Sequence, residues 1–168
     1  MTTTGDVSHL CTPGEERPPP EILLVEDEPA EIYLLRKGFA TSPLPVSLHN
    51  VPSVREALAF LRHAEPYCPA PRPQLIVTSI NLSGQQSGFE IIAAVKHDPA
   101  LRVIPVIVFS TYDAPEIIQK SYALGANCYI TKPRELDAFF GAIHAIAEYW
   151  FTVATLFDPA SLRQELHE

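Results

Sequence analysis

The sequence predicts an α/β fold built around a parallel sheet, and three observations support this prediction. Short, wholly apolar runs recur along the chain, such as Ile22-Leu23-Leu24-Val25, and runs of this kind are typical of strands buried on both faces. Segments with helical spacing of apolar residues lie between them, such as the stripe of Ile91, Ile92 and Val95. The two kinds of segment alternate, which is the pattern of a doubly wound parallel sheet.

The alternation gives five strand–helix units. The predicted strands are residues 22–25, 46–51, 74–80, 105–109 and 128–131, and the predicted helices are residues 30–39, 53–63, 88–97, 116–124 and 135 onward. Pro29 suits a first helical turn, Gly38 lies near the end of the first helix, Ser53 suits an N-cap and Gly125 suits a helix end. Five such units predict a flavodoxin-like (βα)5 fold, a three-layer sandwich with a five-stranded sheet.

The chain is long enough for one domain with short ends. Of its 168 residues, residues 21–157 are predicted to form that domain. Residues 1–20 are polar and end in three prolines, which neither pair within a sheet nor lie inside a helix, so we expect a flexible N-terminal arm. Residues 158–168 are expected to form a short C-terminal tail.

Composition excludes several classes of function. The net charge of −8 argues against a nucleic-acid groove, which needs a basic surface to neutralise phosphates. No apolar run reaches the roughly twenty residues of a membrane helix, and the N-terminus lacks the pattern of a secretion signal. Cys11, Cys68 and Cys128 are too dispersed for a disulfide framework or a zinc site. We therefore expect a cytoplasmic protein that binds neither nucleic acid nor membrane.

Polar residues stand at the ends of four predicted strands, at the sheet edge where ligands bind in this kind of fold. For the first, third, fourth and fifth strands they are, in order, Glu26-Asp27, Ser79-Ile80-Asn81, Ser110-Thr111 and Thr131-Lys132-Pro133. Carboxylates are ligands for a hard cation such as Mg²⁺, lysine neutralises a phosphoryl oxygen, and a hydroxyl donates to another. Together they indicate a magnesium-assisted phosphoryl site.

Three segments resemble the signature segments of response-regulator receiver domains. They are residues 23–27, residues 108–111 and, most specifically, residues 125–133. The resemblance covers roughly residues 21–157. Two further segments, Tyr149-Trp150-Phe151 after the long last helix and Asp98-Pro99-Ala100 before the fourth strand, resemble the single-domain regulators that pair with bacterial phytochrome kinases.

The resemblance implies a role for the polar residues at the first, third and fifth strand ends. Glu26, Asp27 and the backbone carbonyl of Asn81 would hold a magnesium ion. Lys132 would contact the phosphoryl group, and its bond to Pro133 would be cis, which is an uncommon state.

The resemblance also implies a switch beside this site. Ser110, followed by Thr111, would supply the switch hydroxyl of the phosphoryl site. Tyr129, three residues before the lysine, would be the aromatic side chain that moves inward on activation.

The third strand departs from the family pattern. Ser79 stands where the family has the aspartate that accepts phosphate, Ser83 stands where proline is usual, and the loop to Gly88 is one residue longer than usual. Gln74 occupies a place where the family often has an acid. Because serine cannot form an acyl phosphate and has no neighbouring base to activate it, we expect no catalytic residue. Because the site lacks one carboxylate, we expect Mg²⁺ to bind weakly.

These observations predict an atypical receiver that acts through protein contact rather than as an enzyme. The expected partner is a phytochrome-like sensor histidine kinase. A homodimer is expected through the fourth helix, fifth strand, fifth helix and C-terminal segment, since the fifth helix carries a second apolar face and aromatic residues follow it. The residues assigned to this interface are Tyr122, Ala142, Tyr149, Trp150 and Phe151.

Three alternatives stay open at this point. One is a receiver phosphorylated at Asp27 or Glu26. Another is a phosphohydrolase of the haloacid dehalogenase class with Asp27 as nucleophile, although Pro29 occupies the place of that class's second aspartate. The third is a flavin-binding electron carrier, for which the chain shows no phosphate-cradling loop.

Overall fold

A computed structural model describes residues 18–157, so residues 1–17 of the predicted arm and the predicted tail, 158–168, lie outside it. The strands are β1 Glu21–Val25, β2 Ser47–Val51, β3 Leu75–Thr78, β4 Val106–Ser110 and β5 Cys128–Thr131. The helices are α1 Pro29–Ala40, α2 Val54–Leu61, α3 Gly88–His97, α4 Pro115–Ala123 and α5 Leu136–Glu148, and a π-helical turn, Tyr149–Val153, follows α5.

The five strands form one parallel sheet in the order β2-β1-β3-β4-β5. The chain therefore crosses over the first strand after β2, and α-helices cover both faces of the sheet. This confirms the predicted flavodoxin-like α/β fold, and the strand order puts a crevice at the carboxyl edge between β1 and β3, where the winding reverses.

Two apolar cores lie on opposite faces of the sheet. One contains side chains of α1 and α5, among them Leu35, Phe39 and Ile143, and the other contains side chains of α2 and α3, among them Phe60 and Ile92. The alternation of side chains along each buried strand supplies both cores. The strand ends at the carboxyl edge are consequently fixed by packing on two sides.

Gly38 has a role that the sequence did not indicate. It lies inside α1 near the end of that helix at Ala40, as predicted. A Cβ atom at Gly38 would stand 2.5 Å from the Ile143 side chain. The glycine therefore allows the close approach of α1 and α5.

The two ends of the last helix are covered to different degrees. Leu136, in the first turn of α5, is 53% exposed. Trp150 and Phe151, which the sequence assigned to a dimer interface, are half-buried and pack on the α1–α5 core. The π-helical turn, closed by the Ala154 amide on the Tyr149 carbonyl at 2.8 Å, is wider than an α-turn and directs these rings back onto the domain.

Among residues 18–157, no helix combines the length and the apolar character needed to cross a membrane.

Candidate functional site

A cavity of about 440 Å³ opens at the carboxyl edge of the sheet. Strand register brings its parts together, because Val25 of β1 lies beside Thr78 of β3, and Ser110 of β4 lies beside Thr131 of β5. The residues that line it are Glu26, Asp27, Glu28, Glu31, Ser79, Asn81, Leu82, Ser83, Thr111, Tyr112 and Lys132. The predicted residues Glu26, Asp27, Ser79, Asn81, Thr111 and Lys132 thus lie in one pocket.

Lys132 forms the centre of a buried ion-pair network. Its Nζ lies 3.0 Å from Glu26 Oε2 and 3.0 Å from Glu31 Oε2, and the Lys132 and Glu26 side chains are only 6% and 4% exposed. Glu26 Oε1 accepts the backbone amides of Asp27 and Glu28, at 3.0 and 3.2 Å. A charge buried this deeply is tolerated only with such partners.

Asp27 points to the opposite side of the pocket. Its Oδ2 accepts the Ser83 backbone amide at 2.8 Å and also the Ser83 hydroxyl. Burial raises the pKa of Asp27, but the hydrogen bonds from Ser83 outweigh it and leave the pKa below its ordinary value of 3.8. The carboxylate is therefore held ionised by donors from the chain itself.

Ser79 lies at the floor of the pocket directly after β3. Its amide donates to the Val25 carbonyl at 3.1 Å, and its hydroxyl donates to the Asn81 carbonyl at 3.3 Å. The residue is 8% exposed. Its hydroxyl proton is thus bonded to a backbone carbonyl rather than to a base that could activate the oxygen.

The residues assigned to the switch lie on β4, β5 and the loop after β4. Ser110 is buried, and its hydroxyl accepts the Tyr112 amide at 3.3 Å. The Tyr129 hydroxyl donates to the Tyr112 carbonyl at 2.6 Å, and burial raises the pKa of Tyr129. Thr111 lines the pocket and is exposed. The expected movement of Tyr129 remains a prediction.

The predicted cis bond between Lys132 and Pro133 is wrong. Among residues 18–157 the one cis peptide is Glu65–Pro66. The trans bond is the lower-energy isomer before proline, and Lys132 reaches both of its carboxylate partners with it.

Comparison with known proteins places the chain in a family. Residues 22–144 match the response regulator receiver domain. The chain belongs to the response-regulator receiver family.

Two relatives are similar over nearly their whole length. The response regulator Rcp1 of Synechocystis sp. is 37% identical over 142 residues, which is 84% of this chain and 96% of that protein. The phosphorylated cyanobacterial phytochrome response regulator RcpA has a TM-score of 0.79 at 40% identity, over 84% of this chain and 100% of that chain. The Mn²⁺-bound form of Rcp1 has a TM-score of 0.77 at 36% identity, over 83% and 100%. This receiver is thus similar to proteins that match it over the full domain.

The donors in this receiver suit a divalent cation only in part. Glu26 and Asp27 supply two carboxylates, but each already accepts hydrogen bonds from the chain, and the Asn81 carbonyl accepts the Ser79 hydroxyl. Residues 18–157 contain no group of three or more histidine, cysteine, aspartate or glutamate side chains placed to hold a metal ion. The donor set fits a weakly held, largely hydrated ion.

Among the lining residues that the sequence missed, Glu31 and Ser83 are the two whose side chains hydrogen-bond predicted site residues. The sequence does contain an indication for Glu31, because an acid in the first turn of a helix lies near the end of the strand that precedes that helix. Ser83 was noted only as a departure from proline, and nothing in the sequence indicated its contact with Asp27.

The residues assigned to the dimer interface divide into two groups. Tyr122, in α4, and Tyr149, in the π-helical turn, are 49% and 53% exposed. Ala142, Trp150 and Phe151 pack instead on the α1–α5 core of their own domain. Tyr122 is further tied to β5, because its hydroxyl accepts the Tyr129 amide at 3.0 Å.

Proposed function

We propose that this receiver acts through contact with a phytochrome-like sensor histidine kinase and does not form an aspartyl phosphate. The observation that carries the proposal is Ser79, which occupies the end of β3 in the pocket where the family's phosphoacceptor aspartate is expected. The similarity to Rcp1 and to RcpA, the latter described as a phytochrome response regulator, supports the choice of kinase.

The chemistry of the pocket supports the absence of phosphorylation. A serine oxygen is neutral and cannot give an acyl phosphate, and attack by its hydroxyl would need a base. The hydroxyl of Ser79 is bonded to a carbonyl, and the nearest acids are committed to Lys132 and Ser83. Phosphorylation of Asp27 or Glu26 would require breaking those contacts first.

Magnesium is expected to be weakly held in this receiver. Glu26, Asp27 and the Asn81 carbonyl would hold it, and when bound the ion would neutralise charge on phosphoryl oxygens. Lys132 already balances the charge of Glu26 without the ion. We therefore expect the fold to be independent of the ion.

We further propose that this receiver forms a homodimer through α4, β5, α5 and the π-helical turn. Support comes from Tyr122 of α4 and Tyr149 of the π-helical turn, which are large, half-exposed aromatic residues, and from Val153, which is 66% exposed. Aromatic residues of this kind are enriched at interfaces. A twofold arrangement is the commonest for a homodimer, and without a phosphoryl switch the dimer should be constitutive.

The test of the proposed chemistry is mass spectrometry after incubation with Mg²⁺ and a small-molecule phosphodonor. The parent should gain no phosphoryl mass. Ser79→Asp is the positive control, since it returns a carboxylate to a pocket that still contains Asp27 and Lys132, and it should bind Mg²⁺ more tightly than the parent. A stoichiometric adduct on the parent that hydroxylamine removes would contradict the proposal and point to Asp27 or Glu26.

The test of the proposed assembly is light scattering at micromolar concentration. Tyr149→Ala should weaken association by about 2 kcal/mol, roughly thirtyfold in affinity, if the side chain is a central anchor. Tyr33→Ala is a matched control, because Tyr33 is 64% exposed on α1, away from the proposed interface. A parent that is monomeric at high concentration would contradict the dimer, and the apolar side would then be assigned to the kinase.

A further inference from the structure

The loop between β3 and α3 is a short hairpin rather than an irregular connection. Gly84 and Gln85 have φ values of 72° and 63°, which is the pattern of a mirror-image turn at its two central positions. The residues that flank the turn pair with one another: the Leu82 amide donates to the Gln86 carbonyl at 3.3 Å, and Asn81 and Ser87 form an antiparallel β-bridge. Ser83 is therefore the residue that enters a defined turn.

Two anchors hold this hairpin over the pocket. The Leu82 side chain is 4% exposed and packs in the α2–α3 core. The Gln86 side chain accepts the amide of Val54 at 2.8 Å, at the start of α2. Since both anchors lie next to the turn, Ser83 has little freedom to move away from Asp27.

Ser83 uses both of its donors on one carboxylate oxygen. Its amide and its hydroxyl donate to Asp27 Oδ2. Proline has no amide hydrogen, so this double contact requires a residue other than the proline that is usual in the family. Hydrogen bonds to an ionised acceptor are stronger than neutral ones, and a cation that binds this oxygen would have to displace them.

Glu31 has the corresponding relation to Lys132. The ammonium group has three donors, and two of them are directed at Glu26 and Glu31, each at 3.0 Å. An incoming anion would have to compete with Glu31 in a pocket whose lining has four carboxylates and one ammonium group. Without a cation, that balance repels a phosphoryl group.

We propose that Ser83 and Glu31 form an intramolecular latch that closes the pocket from within, with Ser83 keeping divalent cations off Asp27 and Glu31 keeping anions off Lys132. The donors of Ser83 thereby take the place of the ion at Asp27, and the Glu31 carboxylate takes the place of the phosphoryl group at Lys132. The latch goes beyond the proposed function, because it concerns access of ions to the pocket and holds whether or not any residue is phosphorylated.

The first half of the latch is tested with Mn²⁺, whose free concentration electron paramagnetic resonance measures directly. Ser83→Ala removes the hydroxyl donor and should tighten Mn²⁺ binding by about tenfold, the scale of one hydrogen bond to a charged group. Gln85→Asn is the matched control, since it alters the same exposed turn with a residue that tolerates positive φ, and its affinity should equal that of the parent. Equal or weaker binding by Ser83→Ala would overturn this half.

The second half is tested with Glu31→Gln, which should change two affinities in opposite directions. Binding of inorganic phosphate, followed by calorimetry, should become severalfold tighter, and Mn²⁺ binding should weaken because Lys132 is less neutralised. Glu116→Gln is the matched control, as it removes an acid from the first turn of α4, outside the pocket. Glu31→Asp keeps the charge and should stay close to the parent in both affinities, which guards against misfolding of the glutamine variant. Two affinities that shift together, or that do not shift, would overturn the latch.

Discussion

The two walls of the pocket are built in different ways. The inner wall consists of Glu26 and Lys132, which follow β1 and β5 and are 3% and 9% exposed. The outer wall is the β3–α3 hairpin, whose turn residues Ser83, Gly84 and Gln85 are exposed. The inner wall is fixed by strands packed on two faces, whereas the outer wall is fixed by turn conformation and two anchors.

This difference predicts which wall of the pocket tolerates substitution. A change in the inner wall would leave a buried charge without its partner, which is costly. A change in the outer wall has only to satisfy the conformation of a turn, in which Gly84 supplies one of the positive φ values. The outer wall can therefore alter access to the site while the fold stays the same.

The largest effect is expected from Lys132→Met, which breaks the inner wall. It leaves Glu26 buried without its ion-pair partner, and such a loss typically costs about 3–5 kcal/mol. Urea unfolding measures it. Lys37→Met, at an exposed position in α1, should change the free energy of unfolding by less than about 1 kcal/mol. A loss below about 1 kcal/mol for Lys132→Met would show that the network is solvated rather than structural.

Gly88→Ala tests the close contact between the end of the outer wall and the backbone that follows β3. A Cβ atom at Gly88 would stand 2.1 Å from the Ser79 carbonyl oxygen, and backbone cannot yield as a flexible side chain does. We expect a loss of about 2 kcal/mol, even though alanine is the better helix former. Denaturant unfolding gives the value, and a variant as stable as the parent would mean that the hairpin can shift as a unit.

Gly141→Ala sharpens that result, because it makes the same substitution without a close neighbour. Gly141 lies on the exposed side of α5, and its added Cβ would meet nothing within 4 Å. Alanine should raise the free energy of unfolding by about 0.5–1 kcal/mol, the difference in helix propensity. A loss here would mean that the cost at Gly88 is not specific to its contact with Ser79.

The inner wall could be predicted from the sequence, and most of the outer wall could not. Glu26, Asp27 and Lys132 follow apolar strands, and parallel strands bring their carboxyl ends to one edge. The contact between Ser83 and Asp27 depends on a turn in which two adjacent residues, Gly84 and Gln85, both have positive φ. The side chain of Glu31 reaches Lys132 only through one arrangement of α1 against the sheet.

The C-terminal segment gives the same lesson outside the pocket. The sequence indicates that the apolar side chains of Trp150 and Phe151 will be covered. The course of the backbone decides whether they pack on the chain's own core or on a partner. Here a π-helical turn directs them to the chain's own core, so they leave less apolar surface for the proposed dimer than the sequence predicts.

The smallest expected effect is a pH-dependent change in the free energy of unfolding that the outer wall contributes through Asp27. The pKa of Asp27 is lowered below 3.8 in the folded state by its bonds from Ser83. A lowered folded pKa contributes stability that is fully present above the unfolded value and is lost as pH falls through the folded value. Ser83→Ala removes one donor, so the pKa of Asp27 should return toward 3.8 and this contribution should shrink.

The difference in free energy of unfolding between parent and Ser83→Ala should therefore depend on pH in one direction. It should be constant around neutrality and diminish as pH falls below 3.8, because a protonated Asp27 accepts a weaker hydrogen bond from the Ser83 hydroxyl than the carboxylate does. Urea unfolding at about pH 7 and about pH 3 gives the two values, and carboxyl carbon NMR follows Asp27 directly. Gln85→Asn should show no such dependence. If the difference is the same at both pH values, the Ser83 hydroxyl stabilises the hairpin itself rather than the ionised carboxylate, and the two walls of the pocket are not coupled through charge.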